Sequence, residues 1–190
     1  MKYLLLLSIL LSVSTLAQDK TYFDRLNLLR SEISDGAKEN FQLEYISIFP
    51  NNFKNFTKTF GYFPKRKVKN LYHNSHEHIS TLVGISKKQP KKVMELMLNI
   101  AVDGTWDADA VSHLQHSLVK LIKDRMDIFL SSFSIIKKDK QNTIIRFLAD
   151  VENHYVYDDY KAILKMLKKQ NKSLYDEFLT AKNKRMKHKH

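Results

Sequence analysis

From residue 22 onward, apolar side chains recur every three to four positions, and this one period runs almost unbroken to residue 179. Tyr22, Leu26, Leu29 and Ile33 fall at i, i+4, i+7 and i+11, one face of a helix. The chain carries only four glycines and three prolines, too few for the many turns of a sandwich or barrel. An all-α fold is therefore expected. Lys38 to Phe49 reads both ways: Phe41, Leu43 and Tyr45 alternate like a strand, whereas Phe41, Tyr45 and Ile48 space like a helix. Helix is preferred because no pairing strand is evident.

Punctuation divides the pattern. Asp35-Gly36 and Pro50 break it, Asn51 or Asn52 can cap a short helix carrying Phe53, Phe56 and Phe60, and Gly61 follows its end. A loop over 61–72 comes next. Ser75 opens a helix, Pro90 suits the first turn of another, Gly104 closes that one, and Asp107 can cap a long helix. Ser173 with Asp176 three residues on reads as a capping-box variant opening the last helix. About eight or nine helices result.

A shift of 34 residues superimposes Leu96, Leu130 and Leu164, then Ala110, Ile144 and Phe178, then Val111, Ile145 and Leu179. Helix pairs of this length form α-solenoids, whose apolar faces are buried by stacking on neighbours. The expected architecture is stacked helical hairpins, either α-solenoid-like or an irregular helical bundle. The tetratricopeptide signature is absent from the sequence.

Residues 1–17 read as a secretory signal peptide: Lys2, an apolar run from Tyr3 to Leu11, and Thr15-Leu16-Ala17 before a cut at Gln18. The run is shorter than the roughly 20 residues of a membrane span. The expected organisation is a leader over 1–17, one helical domain over 18–181, and a basic, disordered tail over 182–190. The product would be periplasmic or extracellular. Cysteine is absent, so disulfides, thiolate metal sites and cysteine nucleophiles are excluded.

Two groups carry candidate chemistry. His73, His76 and His78 surround Glu77, yet no pair of them has the i, i+4 spacing of a His-Glu-x-x-His zinc helix. They read as a polar, solvated helix start. Asp109, His113 and His116 fall at i, i+4 and i+7, and two imidazoles with a carboxylate could hold zinc or another divalent transition metal for hydrolysis. Against this, Asp107 and Asp109 sit where the helix dipole favours carboxylates by about 0.3–1 kcal/mol each. No nucleophile elbow, phosphate loop or dinucleotide fingerprint occurs.

The formal net charge is +12, and only six of the 32 basic residues are arginine. Lys65, Arg66 and Lys67 form one run, with Lys87, Lys88, Lys91 and Lys92, then Lys137, Lys138 and Lys140, then the tail. Lysine is a strongly hydrated point charge, so this pattern fits diffuse attraction better than base or phosphate readout. Export also argues against nucleic acid. An acidic protein or an anionic envelope surface fits better.

Phe49-Pro50, Phe53, Phe56, Phe60-Gly61-Tyr62, His76-Glu77-His78-Ile79, Gly104 to Ala110 and Leu114-Gln115 resemble a family of small exported bacterial all-helical proteins of uncharacterised function, over about residues 41–150. The resemblance implies a helix-start and packing motif at Gly104-Thr105-Trp106-Asp107-Ala108-Asp109-Ala110. It also implies a second fixed point at Glu77-His78-Ile79, facing that motif. It implies no activity, and the lysine-rich end after about residue 170 departs from it. The combined expectation is a non-catalytic, exported protein-binding module without a cofactor, an immunity-type protein being one version. Its binding residues would be Glu77, His78, Trp106, Asp107, Asp109, Lys65, Arg66 and Lys67. A metal-dependent hydrolase at Asp109, His113 and His116, with His76 and His78 as further candidate members of the site, and an electrostatic binder of anionic membrane or polysaccharide are the alternatives.

Overall fold

The computed structural model describes residues 21–34, 39–64, 70–107, 109–150 and 154–187, without the side chains of 154–157 and 186–187. The signal peptide expected over 1–17 and the basic run Lys65, Arg66 and Lys67 lie outside the described residues. The fold is all-helical. Ten α-helices are present among the described residues, slightly more than expected, and no strand. None of these helices is long and apolar enough to cross a membrane.

The chain divides into two compact units, Met1–Phe49 and Pro50–His190. In the first, α1 spans 21–34 and α2 spans Glu39–Ile48, so the ambiguous stretch is helical. Leu26 and Leu29 of the predicted stripe are fully buried. Tyr22 Oη donates to the Ile48 carbonyl at 3.2 Å, and Arg25 grips Glu44 through both guanidinium Nη2 contacts, at 2.5 and 2.6 Å.

The second unit contains α3 (Phe53–Phe60), α4 (Ser75–Ile85), α5 (Pro90–Ala101), α6 (Asp109–Asp124), α7 (Met126–Ser134), α8 (Lys138–Ala149), α9 (His154–Gln170) and α10 (Lys172–Lys187). A 3₁₀ turn, Tyr72–Asn74, leads into α4. Helices pack on the next but one along the chain: α4 on α6, α5 on α7, and α8 on α10. That is the contact pattern of stacked hairpins. It is broken where α9 lies along α6 and α8 reaches back to α5, which makes the stack irregular. The 34-residue pattern has a physical cause. Seven of the nine recurring residues, Leu96, Leu164, Ala110, Ile144, Phe178, Val111 and Ile145, are buried, while Leu130 and Leu179 are partly exposed, so most recurring positions are core positions.

The caps correct two details. Asn52 accepts the Asn55 N–H at 2.9 Å and caps α3. The last helix is capped by Asn171, whose Oδ1 accepts the Leu174 N–H at 3.1 Å, and not by Ser173. Asp176 turns outward to Lys172 at 2.5 Å, one helical turn away, so the predicted capping box does not form. With Asn171 as the cap, the third helical position is Leu174, so Asp176 stands two residues too far along to close the box. The helix α10 continues to Lys187, six residues into the stretch expected to be a disordered tail.

Candidate functional site

The ends of α3, α4 and α6 meet around one group of aromatic and titratable side chains. Phe56 and Phe60 are buried on α3, their rings 5.3 Å apart. Gly61 ends that helix and donates its N–H to the Thr57 carbonyl at 2.7 Å. A Cβ there would collide with that same carbonyl, so the approach requires glycine. Asn70 then staples the returning chain. Its Nδ2 donates to the Gly61 carbonyl at 2.8 Å, its Oδ1 accepts the Tyr72 N–H, and the Leu71 N–H bonds the Thr59 carbonyl. The staple fixes the base of the loop and sets the Tyr62 and Tyr72 rings 5.1 Å apart.

Tyr72 reaches α6. Its hydroxyl donates to Asp109 Oδ2 at 2.8 Å, and the carboxylate at the other end of this bond holds the phenol above its ordinary value of 10.0. One turn further along α6, the His113 ring meets the His76 ring of α4 edge to face, with centroids 4.7 Å apart. Burial, and next the His76 imidazole, push His113 below the usual histidine value, while Asp109 pulls the other way. His73 sits against Tyr72, with ring centroids 5.3 Å apart.

The two histidine groups of the sequence therefore meet, through one residue of each. Of the predicted stripe Asp109, His113 and His116, Asp109 accepts a hydrogen bond from Tyr72 and the His113 ring packs on His76. No group of three or more His, Asp or Glu side chains able to hold a metal ion occurs among the described residues. The expected solvated helix start needs correction at His78. This side chain is fully buried beside Phe60, ring centroids 5.4 Å apart, while His76 and Glu77 are exposed. Positions 76 and 78 lie about 200° apart on a helix, so one imidazole faces the core when the other faces water.

The Gly104 motif divides in the same way. Asp103 takes a positive φ of 57° and donates its N–H to Thr143 Oγ1 at 3.0 Å. Gly104 is buried so tightly that a Cβ would lie 2.7 Å from Phe147 Cδ2. Gln115, also buried, donates to the Phe147 carbonyl at 2.8 Å and ties α6 to the end of α8. Gly104 and Gln115 thus pack against α8. Trp106 and Asp107 instead remain exposed, Trp106 at 44%. Of the predicted binding residues, Glu77, Trp106 and Asp109 are exposed, whereas His78 is buried.

What the sequence missed is the exposure of Tyr62 and Phe63 beside this group. Tyr62 is 52% and Phe63 37% exposed, and both line a shallow pocket with Asn70, Tyr72 and His73. Trp106 is three residues from Asp109, so its Cα lies within about 11 Å of that of Tyr72's partner. Aromatics flanking a Gly-and-Pro loop were the available signal. Comparison with family models, curated proteins and solved structures finds no match for this chain.

Proposed function

We propose that the chain is an exported, periplasmic or extracellular binding protein that engages an acidic protein partner through the aromatic edge formed at the α3–α4 junction and the start of α6. It works by surface recognition rather than turnover. The observation that carries this reading is the exposure of Tyr62, Phe63 and Trp106, three large rings left in water by a fold that buries Phe56, Phe60, Phe129, Phe147 and Phe178. Exposed aromatics beside fixed polar groups are what binding hot spots are built from. The formal charge of +12 and the lysine run inserted in the same loop favour an acidic partner. An immunity-type role, in which the protein neutralises such a partner in the envelope, is one form of this reading.

The test is affinity purification from cell envelopes with wild-type protein and with Tyr62→Ala and Trp106→Ala. A stoichiometric acidic partner should be recovered, and each variant should weaken it about 30-fold or more, the scale of a hot-spot residue. A partner held equally well by both variants contradicts the assignment.

A second reading rests on a different observation. Lys87, Lys88, Lys91 and Lys92 are all exposed at the turn joining α4 and α5. Such a tip would adsorb to anionic membrane or polysaccharide, and the adsorption would vanish as salt screens it. Vesicles rich in anionic lipid distinguish it: binding should be lost in Lys87→Glu/Lys88→Glu protein and unaffected by Trp106→Ala.

A further inference from the structure

We infer that His76 and His113 form a two-imidazole site that takes one divalent transition-metal ion, such as zinc or copper(II), and thereby clips α4 to α6. The site is open to water, which completes the coordination.

The argument is geometric. Histidine nitrogens bind zinc at roughly 2.0–2.1 Å in near-tetrahedral array. Adding the distance from each nitrogen to its ring centre, two imidazoles sharing one ion place their centroids about 5 Å apart. The His76 and His113 centroids are 4.7 Å apart, close to that separation, so one ion can be shared once the edge-to-face rings rotate to turn a nitrogen of each toward it. The two residues come from different elements that pack directly on each other, so the backbone sets the separation. His76 is exposed and gives an ion a route in, while His113 is half-buried and held in place on α6.

This site differs from the stripe read along α6. A cross-helix pair replaces a ligand set drawn from one helix, and Asp109 is left to Tyr72. Imidazole ligands suit zinc, copper and nickel, with copper(II) held most tightly of the three. With two protein ligands and no third among the described residues, the ion is a clip rather than a buried structural centre. The inference does not depend on the proposed partner, since binding is measured with the protein alone.

The experiment is calorimetric titration of zinc chloride into the full chain, in a buffer that does not chelate. Four proteins are compared: wild type, His76→Ala, His113→Ala, and a His188→Ala/His190→Ala variant that removes the two histidines at the C-terminal end. His76 is exposed, so its replacement leaves the fold intact, and circular dichroism verifies this for each variant. One equivalent of zinc should bind wild type and the His188→Ala/His190→Ala protein. Binding should weaken at least about tenfold in His76→Ala and in His113→Ala. Zinc should also raise the melting temperature of wild type but not of His76→Ala, because only the folded state holds both ligands together. Binding that survives in His76→Ala, that disappears only with His188 and His190, or that is absent from wild type at millimolar zinc overturns the inference.

Discussion

The α8–α10 side of the second unit and the α4–α6 end treat polar groups in opposite ways. Around α8, α9 and α10, charges are spent on one another across helices: Lys138 with Glu177 at 2.5 Å, Arg185 with Asp150 at 2.6 Å, and Lys123 with Asp159 at 2.5 Å. Beneath them Phe129, Tyr160 and Phe178 form a buried ring cluster, with Phe178 central to both other rings. At the α4–α6 end the polar groups are tyrosine, aspartate and imidazole, linked in short contacts, with large rings exposed beside them. The first arrangement pairs its charges across helices, with an open groove between α8 and α10 lined by Asn142, Asp176 and Lys184. The second leaves large rings exposed, and the proposed recognition surface rests on that contrast.

The largest expected effect lies on the α8–α10 side. Phe178 is fully buried against Phe129 and Tyr160, so Phe178→Ala should cost about 3–5 kcal/mol in urea unfolding. A loss below 1 kcal/mol would mean this side is not the stable half. Next comes Gly104→Ala. Its new Cβ would lie 2.7 Å from Phe147 Cδ2 and 3.0 Å from the Ala101 carbonyl, and overpacking of that kind costs about 1–3 kcal/mol.

A pH effect sharpens the comparison further. Burial raises the Tyr160 phenol well above its ordinary value of 10.0, and its hydroxyl donates to the Phe178 carbonyl at 3.1 Å. A phenol with a raised folded-state value stabilises the fold below pH 10 and loses that contribution as pH climbs toward the folded-state value. Tyr160→Phe should therefore flatten the alkaline fall in stability above pH 10, while costing about 1 kcal/mol at neutral pH for the lost hydrogen bond. Tyr72 is raised by a surface carboxylate instead. For it, Asp109→Asn should bring the phenol back toward 10.0 in a spectrophotometric titration without changing the alkaline midpoint. The smallest effect on folding is expected from Trp106→Ala, within about 0.5 kcal/mol of wild type, because the ring is exposed. A larger loss would make Trp106 a packing residue and remove it from the proposed surface.

The fold was legible because burial follows a helical period. Leu114, Leu118 and Ile122 on α6 and Ile144 and Leu148 on α8 are core positions that spacing alone identifies. Capping was less legible, since Asn171 and Ser173 offer similar side chains two residues apart, and the choice of cap decides whether Asp176 stands at the box position. The site was legible in its members but not in its pairing. Asp109 and His113 share a helix, so the sequence joins them. Their contacts are Tyr72 and His76, 37 residues apart in both cases, and helix packing alone determines such separations. His78 was misread because a two-residue offset reverses the face of a helix.

The most direct test compares the two sides as points of contact. A photo-crosslinking amino acid is placed at Tyr62 on the aromatic edge or at Asn142, exposed on α8, and cells are irradiated before the envelope is extracted. A single defined adduct from position 62, absent from position 142 and lost when Trp106→Ala is added, is the predicted result. Equal adducts from both positions, or an adduct from position 142 alone, would contradict the assignment of recognition to the α4–α6 end.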